Sequence, residues 1–478
     1  MLPTLPLAVL ALLVGLFSIS QQSLWMDEGA PAFKAIMPSL RDWWFLSERL
    51  GGSDAQMPVY MLTVWLWEKI AWPGEYALRC VNLPWLLLAV LSLKRVRWWP
   101  VLCLTSPFIL YYTGELRPYA MQIAAGALAA SAMGKVAAGA PCGDAHDPYL
   151  GLQTAAAAGL LLASSSLTSA IWALGLWVGI LLLRPDWLKR MGFWTRMLPW
   201  VGGVGVMGAY YLYSLKQGHR AAGGFENGGL LSMAFGIYEM IGLLGLGPGR
   251  AELRVSPKAA LSALPLLVPA FLCFAVAWIY GLRRWLAGSK PCLVWATACA
   301  VGIPLVIFAI ASSVMDFRVL GRHFSPMMPA LLLPLAVTLA SPGAWKSPVK
   351  MVALAVLACA VLASLSLRFS ARHARDDYRQ ATSMVLDALQ NGSRVLWRAD
   401  MNCTRYYASL QGGMDAVRRV QVLESHPPTS FVSTDYVFIN RPDIADRLGD
   451  YRKELEKNAF RLHAKFTGFE VWKETYGE

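Results

Sequence analysis

Runs such as LLVPAFLCFAVAWIYGL (266–282) and VALAVLACAVLASLSL (352–367) carry no charged residue along their whole length. A hydrocarbon layer about 30 Å thick takes about 20 apolar helical residues to cross, and a helix satisfies its own backbone polar groups while doing so. Repeated runs of this kind leave one class open, a polytopic α-helical membrane protein. The composition agrees: 56% of the residues are hydrophobic and mean hydropathy is +0.44. Spans are expected at 3–20, 76–94, 99–114, 118–138, 150–164, 169–184, 196–214, 257–283, 291–314, 323–341 and 348–368, about 11 in all. The first run, LPLAVLALLVGLFSIS, lacks a basic leader and reads as a retained membrane helix.

Orientation follows from the basic loops. With the N-terminus inside, KRVRWW (94–99), Lys135, RPDWLKRMGFWTR (184–196), RRWLAGSK (283–290) and WKSPVK (345–350) all face the cytoplasm, and each carries Lys or Arg. The net charge of +13 is then topology and affinity for anionic lipid; it is no nucleic-acid signature. Two apolar stretches interrupted by charge, 59–72 and 230–247, read as interfacial or re-entrant helices on the outer face. The eight cysteines form no CxxC pair and lie mostly within apolar runs. These features divide the chain into a membrane part, 1–368, whose first outer loop spans 21–75, and a charged tail, 369–478. The tail reads as a small extracytoplasmic α/β domain, with helices at 376–390 and 443–458 and strands at 394–399, 418–423 and 435–440.

Parity brings three charged clusters to the outer face. Asp27 and Glu28 follow the first span; beside Trp25 and Met26, a carboxylate there is expected to have a raised pKa and to serve as a base, whereas the bland reading is a helix C-terminal boundary. GELRPY (114–119) closes a helical hairpin, either as a plain Glu115–Arg117 pair or with Arg117 gripping a lipid phosphate and Tyr119 donating to it. Arg318, Arg322 and His323 open the tenth span, as anion ligands or as interfacial anchors. Carboxylate, guanidinium and imidazole on one side suit an enzyme that holds a lipid-linked phosphate and deprotonates a hydroxyl. A transporter or flippase of lipid-linked sugars is the competing class, but it would place charges near the midplane with repeat symmetry, and no repeat is visible.

The sequence resembles the GT-C superfamily of glycosyltransferases, in particular bacterial members of family 39, related to protein O-mannosyltransferases and the lipid A aminoarabinose transferase. The resemblance rests on Trp25-x-Asp27-Glu28, on Asp54-x-x-x-Pro58-x-Tyr60, on GEYALR (74–79), on SPFILYYTGELRPYAMQ (106–122) and on GRHFSPMMPALLL (321–333). It implies inverting hexosyl or pentosyl transfer from a polyprenyl (undecaprenyl) phosphate donor to a lipid, glycan or protein hydroxyl, at the periplasmic face of a bacterial inner membrane. Asp27 would be the base, with Glu28 beside it. Glu115, Arg117 and Tyr119 would line the donor and phosphate site, with Asp54 and Tyr60 nearby and Arg322 and His323 at the lipid phosphate. Many relatives carry His-Pro-Pro where this chain reads DAQMP, so Gln56 stands in place of a histidine. A divalent metal ion is left open: Asp27, Glu28 and Glu115 offer hard oxygens, and some relatives work without one.

Overall fold

The computed structural model describes residues 3–138, 149, 151–218, 229–256, 258–315, 317–342, 347–422, 434–446 and 449–475. Residues 345–346 of the expected loop 345–350, the first residues of the spans drawn from 150 and 257, residue 423 of the expected strand 418–423 and residues 447–448 of the expected helix 443–458 lie outside them. Helix α1 (Thr4–Ser18) leads into the segment read as the first loop, which is helical: α2 (Met26–Ala35), α3 (Leu40–Leu50), α4 (Pro58–Glu68) and α5 (Glu75–Arg79). The membrane part continues with α6 (Leu83–Ser92), α7 (Trp99–Thr105), α8 (Pro107–Thr113), α9 (Tyr119–Ala138), α10 (Leu152–Ser165), α11 (Leu167–Leu183) and α12 (Met191–Lys216). Three shorter helices, α13 (Leu230–Met240), α14 (Leu243–Leu246) and α15 (Arg250–Val255), precede α16 (Ala259–Gly288), α17 (Pro291–Val314), α18 (Met328–Ala340) and α19 (Pro348–Phe369).

Among the described residues, five helices are long and apolar enough to cross a membrane: α9, α16, α17, α18 with the 3-10 turn Gly321–Met327 before it, and α19. Helices α1, α10 and α11 are apolar but shorter. The stretches 76–94 and 99–114, expected as single spans, are each divided. A 3-10 turn at Cys80–Asn82 separates α5 from α6, and Pro107 starts α8 after Ser106 leaves the helical region and caps it. Proline at the first position of a new helix supplies no N–H to the old one, so a break there costs little.

The tail contains α20 (Tyr378–Gln390), β1 (Val395–Arg398), α21 (Met401–Leu410), α22 (Met414–Val417), β2 (Gln421–Val422), β3 (Tyr436–Asn440), α23 (Pro442–Ala445), α24 (Asp450–Lys457), β4 (Phe460–Phe466) and β5 (Phe469–Glu474). The sheet order is β2-β1-β3-β5-β4, with β1 parallel to β2 and β3, and β5 antiparallel to β3 and β4. The helix expected over 443–458 is two helices; Gly449, at φ 75°, adopts the left-handed region just before α24.

Strand alternation explains how the tail docks. Leu396, Val437 and Ile439 point to one face and pack with Tyr451, Leu455 and Phe460. Trp397 and Phe438, one residue out of step, point to the other. There they share a continuous core with Leu24, Phe33, Tyr60 and Leu78 of the first loop, through Tyr378, Cys403, Tyr406 and Tyr407. The segment 21–79 is thereby packed between the apolar helices and the C-terminal sheet.

Candidate active site

Asp27 and Glu28 lie in the first turn of α2, so they are at a helix N-terminus, where the dipole favours negative charge. They are not the C-terminal boundary of α1 that the bland reading supposed. Helix α2 is seated by Gly29. A Cβ there would stand 2.4 Å from Cys403 Sγ and 2.6 Å from Cys403 N, so α21 packs where only glycine fits. Ser23 and the Leu24 N–H meet the Tyr407 hydroxyl, at 3.0 and 2.7 Å.

The two carboxylates have different surroundings. Arg79 grips Glu28 with both ends of its fork, Nε to Oε1 at 2.9 Å and Nη2 to Oε2 at 2.7 Å. Arg375 also donates to Glu28, and the Leu116 N–H donates to Oε1 at 2.8 Å. Burial alone would raise the Glu28 carboxyl; Arg375 and Arg79 outweigh it and hold the group at about 2. Asp27 is part-exposed instead. Arg322 Nη1 donates to Oδ2 at 2.7 Å, and Arg117 Nη2 stands 3.8 Å from Oδ1. The raised pKa expected from Trp25 and Met26 is corrected here: burial pushes upward, but Arg322 and Arg117 win and hold Asp27 at about 2.

Arg117 divides its fork. Nη1 donates to Asp54 Oδ1 at 2.5 Å, and Lys34 Nζ lies 3.6 Å from the other oxygen of Asp54. The simple Glu115–Arg117 pair is absent: the carboxylate partners of Arg117 are Asp54 and Asp27, and both oxygens of Glu115 are buried without a hydrogen-bond partner. Burial raises the Glu115 carboxyl to about 7, against the pull of Arg250 and Arg375. The turn carrying these residues is pinned at almost every peptide. Asn82 Nδ2 donates to the Thr113 carbonyl at 3.2 Å and the Glu115 carbonyl at 2.5 Å, while Tyr60 donates to Asn82 Oδ1 at 3.0 Å. Arg375 donates to the Gly114 carbonyl at 2.9 Å. Tyr60 therefore acts here through Asn82, on the backbone of the Glu115 turn.

Arg322 reaches Asp27 from the 3-10 turn Gly321–Met327. Gly126 in α9 admits that turn, since a Cβ on it would lie 2.1 Å from the Pro326 carbonyl oxygen. Arg250 and Glu239 brace it from the other side. Arg250 Nε donates to Glu239 Oε1 at 2.6 Å, and Glu239 Oε2 accepts from the Gly321 N–H at 3.0 Å. Arg250 also donates to the Tyr111 and Tyr112 hydroxyls, at 3.0 and 2.8 Å. The ring of Tyr119 packs edge-on to Tyr112, with the Arg322 guanidinium 5.9 Å from its centroid. His323 is engaged elsewhere: its Nδ1 accepts from the Leu320 N–H at 3.0 Å, and its ring stacks on Phe308.

Four separate segments thus converge: Asp27 and Lys34 from α2, Asp54 from the 3-10 turn Ser53–Gln56, Arg117 from the α8–α9 turn and Arg322 from the turn before α18. Among the described residues no group of three His, Cys, Asp or Glu side chains is placed to hold a metal ion, and the oxygens of Asp27 and Glu28 are taken by guanidinium groups.

Among solved structures, the chain matches ArnT from Cupriavidus metallidurans in the apo state with a TM-score of 0.56 and 13% identity, over 98% of this chain and 97% of that one. ArnT from the same organism bound to undecaprenyl phosphate matches with a TM-score of 0.51 and 14% identity, again over 98% and 97%. The chain shares the fold of these two structures. No protein-family model and no curated protein matches the sequence. Within this fold, sequence reasoning missed Arg79, Arg250, Arg375, Asn82 and Lys34 as parts of the site. Arg79 closes the quoted GEYALR string, so a cue existed; Arg375 lies 347 residues from Glu28 and gave none.

Proposed function

We propose that the protein is a multi-pass glycosyltransferase of a bacterial inner membrane, with about 11 crossings counting the divided helices. In this reading the Asp27 site and the C-terminal unit face the periplasm, and a sugar passes with inversion from a polyprenyl phosphate to an acceptor hydroxyl. The observation that carries it is the meeting of Arg117 and Arg322 at Asp27 from segments up to 295 residues apart. The undecaprenyl phosphate bound to the ArnT of like fold supports the class of donor.

The chemistry needs one base and one anion clamp. The acceptor oxygen attacks the anomeric carbon while Asp27 takes its proton. The bond from that carbon to the phosphate oxygen breaks, and its electron pair leaves with the polyprenyl phosphate. Arg117 and Arg322 stabilise the charge that grows there. A carboxyl held near 2 by these same groups is ionised but a poor base. A bound donor phosphate would compete for both guanidiniums and set its own negative charge beside Asp27. Both effects raise the proton affinity of Asp27, so the base becomes effective only when the donor is in place. Glu28, saturated and sealed, is assigned a positioning role beside the base.

The test is release of polyprenyl phosphate from a panel of polyprenyl-phosphoryl sugars by the purified protein with membrane extract as acceptor. Asp27→Asn should slow release by at least about 100-fold at unchanged protein yield. Wild-type activity in Asp27→Asn would remove the base. Movement of uncleaved donor across liposomes, without release, would establish the transporter reading instead.

A further inference from the structure

A slot of about 240 Å³ lies between α1, the α7–α8 pair and α19, and none of Asp27, Arg117 or Arg322 lines it. Its body is apolar, with Val14, Phe17, Leu104, Leu110, Val361 and Leu365 among the walls. Phe17, Val361 and Leu365 are also exposed on the outside of α1 and α19, so the slot opens sideways, through a surface that apolar sequence assigns to lipid. The volume is below the roughly 300–1,000 Å³ of pockets for whole small molecules and suits a length of hydrocarbon chain.

The outer end is cationic. Arg368, Arg375 and His373 line it, and no carboxylate does. Arg368 donates to the carbonyls of Phe17 at 3.2 Å and Ile19 at 3.3 Å, which caps the end of α1. That capping accounts for its hydrogen bonds and leaves its charge uncompensated, since its charged neighbours are Arg375 and Arg79. Three guanidiniums therefore stand over two carboxylates, Glu28 and Glu115, leaving surplus positive charge even with both ionised. His373 adds a buried Nε2 without a hydrogen-bond partner.

We infer that this slot holds an anionic phospholipid of the surrounding bilayer, with one acyl chain between α1 and α19 and its phosphate at Arg368 and Arg375. The inference goes beyond the proposed transfer and takes from it only the membrane setting. A free phosphate would leave the apolar walls unused, and a neutral lipid would leave the guanidiniums unanswered. A polyprenyl phosphate shares the headgroup, but a chain of many isoprene units is far larger than the slot. Because Arg375 also holds Glu28 and the Gly114 carbonyl, the headgroup would be tied directly to the framework around Asp27.

Native mass spectrometry of the full chain in a neutral detergent reads the occupancy, with phosphatidylglycerol, phosphatidylcholine and polyprenyl phosphate as probes. One phosphatidylglycerol should stay bound where phosphatidylcholine does not. Arg368→Gln should weaken retention about tenfold, the scale of one lost charge-assisted contact. Leu365→Trp, which fills the slot and changes no charge, should weaken it as much, and thermal unfolding close to wild type would show both variants folded. Equal retention of the two phospholipids, or unchanged retention in both variants, would reduce the site to ordinary surrounding lipid and overturn the inference. Displacement of the bound phosphatidylglycerol, one for one, by polyprenyl phosphate would also overturn it, by giving the slot to the carrier lipid. The readout is occupancy, so failure of the transfer reading would leave this result standing.

Discussion

Replacing Glu28 by Gln removes one negative charge from a position with no solvent exposure and leaves two guanidiniums facing it. The cost follows from the structure in two ways. A carboxyl held at about 2 against an ordinary 4.5 stabilises the fold by roughly 3 kcal/mol at neutral pH. Breaking a buried ion pair from one side costs about 3–5 kcal/mol, because the partner charge stays buried. Gln keeps one carbonyl to accept from Arg79 or the Leu116 N–H, so the lower end, about 3 kcal/mol, is expected. Denaturation in detergent at pH 7 measures it. The contribution is complete above about pH 4.5 and is lost as pH falls toward 2, so wild type and Glu28→Gln should converge in acid. Asp27→Asn, at a part-exposed site, should change stability by no more than about 1 kcal/mol. If Glu28→Gln were as stable as wild type at pH 7 yet unable to transfer, Glu28 would belong to the chemistry and the positioning argument would fail.

Arg117→Lys keeps the charge but loses the fork that spans Asp54 and Asp27, so turnover should fall about tenfold or more while donor KM changes less; an unchanged kcat would take Arg117 out of the leaving-group step. For Glu115, a folded-state value of about 7 against 4.5 unfolded means that stability falls as pH rises between those values. Glu115→Gln should remove that slope and be the more stable protein at pH 8; parallel pH curves for the two would show that Glu115 is not held protonated.

The long uninterrupted helices α9, α16, α17 and α19 were legible because composition alone decides them: nothing else buries so many apolar residues in a row. The divided stretches were less so, since Pro107 inside an apolar run reads equally as a kink or a boundary. Helix α21 escaped notice because its buried face, Cys403, Thr404, Tyr406 and Tyr407, is chemically mixed and gives no apolar period. Strands β4 and β5 escaped too; β4 is an edge strand with most of its residues in or near solvent, so the alternation that marks a strand is faint. At the site, the residue types that meet could be read from the charged clusters between apolar runs. The sign of the Asp27 shift could not, because local neighbours argued for burial, whereas the deciding groups, Arg117 and Arg322, come from distant turns.

The arginines around α2 fall into two kinds, and exposure separates them. Arg79 and Glu28 are sealed at 0%, with Arg79 also donating to the Ser20, Gln22 and Ser23 carbonyls. Such a pair is expensive to disturb, so it fixes where α2 begins and which way Asp27 points. Arg322 and Asp27 keep 25% and 28% of their side-chain surface. Their pair is cheap to open, because water or an incoming anion can replace either partner. The proposed reaction, which offers guanidiniums to a phosphate and then frees a carboxylate, needs this division. If the Asp27–Arg322 pair were as sealed as Glu28–Arg79, the donor could not displace it; if Glu28–Arg79 were as open, the base would have no fixed aim. The C-terminal unit supplies the rigid half through Arg375, Cys403 and Tyr407, all of which touch α2 or the residues leading into it. In the proposed mechanism its place is therefore to hold α2 still while Arg117 and Arg322 change partners.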